Sequence, residues 1–145
     1  MIPKFLNDAL GFNIHRVGVL FRRELIRTLA EYNMTPEQWQ VMATLWAIHR
    51  PLSQNDIVKS TMKDKPTVSR MIQRLEKNGW IEKAPDRLDA RITMIQLTGK
   101  GSSYKNEINK KVQSHFAKIF RHLDEDESIQ FETTLKKLRY LLGDD

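Results

Sequence analysis

Apolar positions recur every three or four residues through most of this chain, and this spacing predicts a largely helical protein. One long amphipathic helix is predicted over about residues 5–32, and a second over about residues 35–49. The same spacing predicts a long helix over residues 98–123 and a last helix that starts at Asp124. The pattern therefore indicates a mainly α fold with helices at both ends.

The segment between residues 53 and 98 is organised differently, with two shorter helices followed by two strands. Ser53 with Asp56 predicts a capped helix of about two turns. After a short turn, Asp64 or Lys65 can cap a second helix. Its apolar side chains share one face: Val68, Met71, Ile72 and Leu75. A short helix, a turn and a longer helix are typical of a helix-turn-helix.

The opposite face of this second helix is polar and cationic. At about 100° per residue it presents these side chains: Pro66, Thr67, Ser69, Arg70, Gln73, Arg74 and Lys77. Arginine and glutamine can form paired hydrogen bonds with guanine and adenine edges, while serine and threonine suit phosphates or the thymine methyl group. A solvated amphipathic helix without any specific partner would show the same face, so the flanking segments have to decide between the two interpretations.

The segments 80–84 and 92–97 have the composition and alternation of two strands, and the loop between them is too polar for a core. This loop holds two arginines and two aspartates: Arg87, Arg91, Asp86 and Asp89. Such a hairpin beside a recognition helix is typical of a wing, whose arginines can enter a narrow A·T-rich minor groove. We expect the aspartates to cap turns and to orient an arginine by pairing with it. An ordinary charged hairpin is the alternative.

Positive charge is concentrated in the same region. The formal net charge is +6. Residues 50–91 hold 10 basic and 6 acidic side chains, a net +4, whereas residues 1–49 (5 and 4) and 92–145 (9 and 8) carry +1 each. This distribution favours an anionic partner such as DNA. A membrane surface would attract the same charge, but the sequence has no lipidation signal, basic-aromatic anchor or long apolar run.

Four short motifs follow one another in this part of the chain: TVSR at 67–70, LEKNG at 75–79, DAR at 89–91 and LTGKG at 97–101. Together they resemble the MarR family of bacterial transcriptional regulators, in which the third motif is Asp-Arg-Arg. Ala90 departs from that pattern, which removes any contact made by the middle arginine. The resemblance implies a winged helix-turn-helix and a homodimer on a pseudo-palindromic operator. It further implies that a small ligand releases the protein from DNA. We expect this effector to be apolar or anionic, and we expect the regulator to be a repressor.

The helix face, the wing and the resemblance together predict a single MarR-like domain over residues 1–145. Within it, residues 35–98 form the DNA-binding winged helix-turn-helix, and residues 1–32 and 99–145 are dimerisation helices. The predicted DNA-binding residues are Ser53, Lys63, Lys65, Pro66, Thr67, Ser69, Arg70, Gln73, Arg74, Arg87, Asp89 and Arg91. The partner is double-stranded DNA. The alternative function is a protein-binding winged-helix assembly module that never contacts DNA.

The terminal helices give an independent reason to expect a dimer. The first helix and the 98–123 helix are each on the order of 35 Å long at 1.5 Å per residue. A small central domain cannot cover both apolar stripes, but a second copy can, and twofold symmetry is the commonest arrangement. It would also present two recognition helices to successive major grooves about 34 Å apart. A monomeric helical bundle is the alternative.

Other chemistry is sparse. The chain has no cysteine, and its four histidines lack metal-ligand spacing, so we expect no metal, no cofactor and no thiol redox sensing. No catalytic motif is present, and an enzyme is not expected. With no signal peptide, we expect a cytoplasmic protein. Trp39, Met42 and Trp46 could line an effector pocket, although such residues at helical spacing more often belong to a core.

Overall fold

A computed structural model describes residues Met1–Asp144 of the chain. Its helices and strands, in order, are α1 (Lys4–Asn7), α2 (Leu10–Leu29), a 3₁₀ turn (Ala30–Tyr32), α3 (Pro36–Ile48), β1 (Leu52–Ser53), α4 (Gln54–Thr61), α5 (Lys65–Lys77), β2 (Ile81–Pro85), β3 (Thr93–Leu97), α6 (Gly99–Ser103), α7 (Lys105–Phe120) and α8 (Glu125–Leu141). The predicted mainly α fold with a small β wing is confirmed. The chain divides into two compact units, Met1–Asn109 and the part that begins at Lys110.

Side-chain caps fix where the helices begin. Thr35 starts α3 with a reciprocal capping box, in which the Gln38 N–H donates to Thr35 Oγ1 at 3.1 Å. Ser53 starts α4 in the same way with Asp56, and Asp124 starts α8 with Glu127. Each box satisfies backbone N–H groups that the first helical turn leaves without partners. These three starts were all predicted from the sequence.

The core of the first unit lies between α3, α4, α5 and a three-stranded antiparallel sheet. The strand order is β1-β3-β2, and Ile95 at the centre pairs with Leu52 on one side and Lys83 on the other. All four apolar residues predicted for the inner face of α5 are buried, with exposures of 0% for Val68, 7% for Met71, 2% for Ile72 and 1% for Leu75. Burial of this face holds α5 against the unit and turns its polar face outward.

The structure corrects several predicted boundaries. The first helix is broken after Asn7, and the Asn13 amide donates to the Asn7 and Ala9 carbonyls at this break, at 2.7 and 3.0 Å. The helix predicted to run from Thr98 to Leu123 is divided at Tyr104 and ends at Phe120. The strands are Ile81–Pro85 and Thr93–Leu97, each one residue later at its start than predicted, and the two-residue strand β1 was not predicted.

Two helices expose apolar side chains along their length. On α2, Leu10 is 82% exposed, Ile14 48% and Val17 41%, at helical spacings of four and three. In the second unit, Ile129 and Phe131 of α8 are exposed, and none of the residues Glu125–Leu141 is buried. None of the helices within residues 1–144 combines the length and the hydropathy that a membrane-spanning segment requires.

Candidate nucleic-acid interface

Helix α5 is anchored at its start by one carboxylate. Asp64 Oδ1 accepts a hydrogen bond from the Thr67 N–H at 2.8 Å, and this bond holds the pKa of Asp64 below its ordinary value. The Gln54 side chain donates to the Lys65 carbonyl at 3.3 Å and so ties α4 to the start of α5. Asp64 rather than Lys65 is therefore the cap, and the first turn of α5 is fixed from two sides.

The outward face of α5 contains most of the predicted DNA-binding residues. Exposed side chains there, or in the turn before it, are Lys63, Lys65, Pro66, Arg70, Gln73 and Arg74. Thr67 and Ser69 are half-buried on the same helix, and Thr67 Oγ1 accepts from Arg70 Nη2 at 3.3 Å. This face presents donors that suit base edges and phosphates.

Ser53 stands apart from this set. Its hydroxyl donates to Asp56 Oδ2 at 2.8 Å and accepts from the Asp56 N–H at 3.2 Å. The hydroxyl of Ser53 is therefore engaged within the protein, and this bond is the main reason that the pKa of Asp56 lies below its ordinary value. A contact of Ser53 with DNA remains a prediction.

The loop between β2 and β3 is organised by its two aspartates, as predicted. Asp89 pairs with Arg91 through two bonds, from Nε to Oδ1 at 3.0 Å and from Nη2 to Oδ2 at 3.1 Å. The Arg91 guanidinium keeps the pKa of Asp89 below its ordinary value. Asp86 Oδ2 accepts the N–H groups of Leu88 and Asp89 at 3.0 and 3.1 Å. Arg87 and Arg91 are both exposed at this tip, which holds two cations in a defined hairpin.

Sequence reasoning missed the junction that joins the hairpin to the helices behind it. The Thr98 hydroxyl donates to the Gly79 carbonyl at 2.5 Å and accepts from the Gly101 N–H at 3.0 Å. Trp46 Nε1 donates to the Gly101 carbonyl at 2.9 Å. The LTGKG motif was the available signal, because its Thr and second Gly are the residues that form these bonds.

The three residues predicted to line an effector pocket have different environments. Met42 and Trp46 are 0% and 1% exposed and belong to the core. Trp39 is half-buried, and its Nε1 is buried without a hydrogen-bond partner among the described residues. The effector role of these residues stays a prediction. No group of three or more His, Asp or Glu side chains within Met1–Asp144 could hold a metal ion.

A sequence model described as the MarR family matches residues 32–92, which contain α3, α4, α5 and most of the hairpin. The chain is 30% identical over 108 residues to the uncharacterized HTH-type transcriptional regulator YwoH of Bacillus subtilis, which covers 74% of this chain and 77% of YwoH. The chain belongs to the MarR family. It is a family of transcriptional regulators and not of enzymes.

Two further comparisons extend this result. The MarR-family chain is 31% identical to the HTH-type transcriptional regulator PecS of Dickeya dadantii over 104 residues, and the match spans 70% of this chain but only 61% of the length of PecS. The structure of a mutant MarR from E. coli complexed with operator DNA superimposes with a TM-score of 0.80 at 27% identity, covering 89% of this chain and 92% of that one. The family resemblance of the motifs is thus confirmed.

Proposed function

We propose that this MarR-family chain is a sequence-specific DNA-binding transcriptional regulator, with α5 in the major groove and the β2–β3 hairpin over the adjacent minor groove. One observation carries the proposal: Arg70, Gln73 and Arg74 are exposed on a helix whose opposite face is buried and whose start is fixed by Asp64. Such a helix can bring its side chains to base edges without reordering. The +4 net charge of residues 50–91 supports an anionic partner.

Two arginine variants test how the contacts are divided. Operator fragments are first selected from genomic DNA with the purified protein. Arg70→Ala should weaken operator binding by about 1–3 kcal/mol and random-DNA binding far less, because a base contact is lost. Arg91→Ala should weaken both and reduce the slope of affinity against salt by about one phosphate contact.

Binding is measured by fluorescence anisotropy at several salt concentrations, with Lys118→Ala as the control. Lys118 is an exposed cation on α7, so its loss changes net charge by the same amount as the other two variants. Binding that does not weaken as salt rises would contradict DNA binding and favour a protein-binding winged helix. Unchanged operator affinity in both arginine variants would contradict this docking.

We infer that the regulator acts as a homodimer on a pseudo-palindromic operator and that it represses transcription. The exposed apolar stripe of α2 supports the dimer, because residues such as Leu10, Ile14 and Val17 gain from being covered by a second copy. Two copies of α5 would then read two related half-sites. A reporter gene placed behind a selected operator distinguishes repression from activation.

We further propose that a small apolar or anionic effector releases the DNA, with Trp39 as the residue that faces it. The support is the buried Nε1 of Trp39, a donor without a partner among the described residues, since such groups are rare and call for an explanation. Trp39→Phe keeps an aromatic ring and removes the donor. It should weaken the release of DNA by aromatic carboxylates without changing DNA affinity, whereas a response equal to wild type would contradict the assignment.

A further inference from the structure

The tip of the β2–β3 hairpin presents an apolar side chain to solvent. Leu88 is 98% exposed, and among the described residues only Met1 has a more exposed large apolar side chain. Leu88 does not belong to the stripes on α2 or α8, so a second copy covering those helices does not explain it. A fully exposed leucine costs hydration free energy until something covers it.

The backbone around Leu88 is held rigidly. Its N–H donates to Asp86 Oδ2 at 3.0 Å. The Asp86 N–H donates to the Ile92 carbonyl at 2.9 Å, and the Ile92 N–H donates to the Asp89 carbonyl at 2.9 Å. These bonds close the tip from both sides. The backbone of Leu88 is therefore held in a defined conformation, and a contact made through its side chain loses little backbone entropy.

Two arginines flank Leu88 in the tip of the hairpin. Arg87 precedes it and Arg91 follows three residues later, and both are exposed, as is Ala90 between them. Ala90 is small and leaves Leu88 as the bulkiest apolar group of the tip. An apolar projection between two guanidinium groups fits a narrow groove with anionic walls and a floor without protruding amino groups. The minor groove of A·T-rich DNA is such a groove, since its floor carries only the adenine N3 and thymine O2 acceptors, and apolar side chains enter minor grooves in other DNA-binding proteins.

We propose that Leu88 is a specificity-determining residue that contacts the minor-groove floor and selects A·T base pairs. This inference rests on the proposed DNA binding. The discriminating group is the guanine 2-amino group, which projects into the minor groove of G·C pairs and is absent from A·T pairs. A leucine at the floor cannot accept a hydrogen bond from that amino group and excludes its water. In this proposal Arg87 and Arg91 bind the DNA phosphates and so position the tip, and Leu88 adds the preference for A·T over G·C base pairs.

Three short duplexes of alternating sequence test this directly: A·T, G·C and inosine·C. An inosine·C pair resembles G·C in the major groove but lacks the 2-amino group in the minor groove. The wild-type chain should bind the A·T and inosine·C duplexes about fivefold more tightly than the G·C duplex. Leu88→Ser should remove this preference by weakening binding to the A·T and inosine·C duplexes only, while Leu88→Met should keep the preference. Affinities are measured by anisotropy at one fixed salt concentration.

The outcomes separate this inference from the proposal on which it rests. If the wild-type chain binds none of the three duplexes in a salt-dependent way, the proposed DNA binding fails. If it binds them but Leu88→Ser leaves their ratios unchanged, only the role of Leu88 fails. Arg70→Ala should leave the ratio of inosine·C to G·C unchanged, because its contacts lie in the major groove. Thermal unfolding of Leu88→Ser should match wild type, since the side chain is exposed.

Discussion

Among the glycines, Gly101 is the one at which a side chain would meet the closest contact. A Cβ at this position would lie 2.1 Å from the Trp80 carbonyl oxygen, which is backbone and cannot rotate away. The Gly101 carbonyl also accepts the Trp46 Nε1 bond, so the chain cannot move aside without breaking it. Close packing against Trp80 thus explains why the last residue of the LTGKG motif is a glycine. The sequence alone showed the motif but not this contact.

Gly101→Ala should lower the free energy of unfolding by about 1–3 kcal/mol, the range expected for forcing an extra carbon into a packed site. Gly99→Ala is the matched control, because Gly99 lies in the same helix and has nothing within 4 Å of its Cβ position. That variant should be neutral or slightly more stable. Urea unfolding curves compare the two. Equal stability of both variants would mean that α6 can shift away from Trp80 at little cost.

At the scale of elements, the sequence predicted what local chemistry determines and missed what packing determines. The starts of α3, α4 and α8 followed from caps within four residues of one another. Strand β1 has only two residues and exists because Leu52 pairs with Ile95, a partner that local periodicity does not reveal. At the break, the Tyr104 ring packs edge-on against Tyr32 and Trp80 with centroids 6.1 and 5.2 Å apart, and local periodicity does not reveal these partners either.

The capping carboxylates make stability depend on pH. The pKa of Asp56 is lowered mainly by the hydrogen bond from Ser53, and that of Asp64 by the Thr67 N–H. A lowered pKa in the folded state adds stability above the unfolded value near 4, and this stability is lost as pH falls through the folded value. The urea concentration at the midpoint of unfolding should therefore decrease when the pH is lowered below about 4. Asp56→Asn should make this decrease smaller.

Ser53→Ala removes the donor from the same pair and should reduce the acid sensitivity in the same way. The Ser53 N–H also donates to Asp56 Oδ2 at 2.9 Å, and this bond does not need the hydroxyl, so the effect of Ser53→Ala should be smaller than that of Asp56→Asn. The double variant should lose no more of the acid sensitivity than Asp56→Asn alone, because both changes act on one interaction. Additive losses would show that Asp56 owes its acid sensitivity to other neighbours.

At the scale of the whole molecule, the exposed stripe on α2 predicts the assembly state. Val17→Glu places a charge within the stripe and should dissociate the proposed dimer, because burying an unpaired carboxylate is costly. His15→Glu is the control, since His15 is exposed on the same helix but outside the stripe. Sedimentation velocity measures both. A dimer that persists in the Val17 variant would locate the contact away from this face.

The candidate site could be predicted because α5 has a strict apolar spacing and a clear cap, so its outward residues followed from geometry. Leu88 could not be recognised in this way, since only the exposure of its side chain and the bonds of Asp86 distinguish it from any loop leucine. The sequence also could not show that Met42 and Trp46 are buried while Trp39 is half-buried, because all three occur at helical spacing on α3. Which of them faces outward depends on what packs against that helix.

The bonds of Trp46 have a consequence for the newly made chain. Its indole binds the carbonyl of a residue 55 positions later, and its own carbonyl accepts from Lys105, 59 positions later. At about 5–20 residues per second, translation takes ~3–12 s to supply them. Until then Trp46 lacks both of these bonds. The winged helix-turn-helix is completed by residues beyond its own end, and a fragment that stops at residue 98 should leave Trp46 permanently without both bonds.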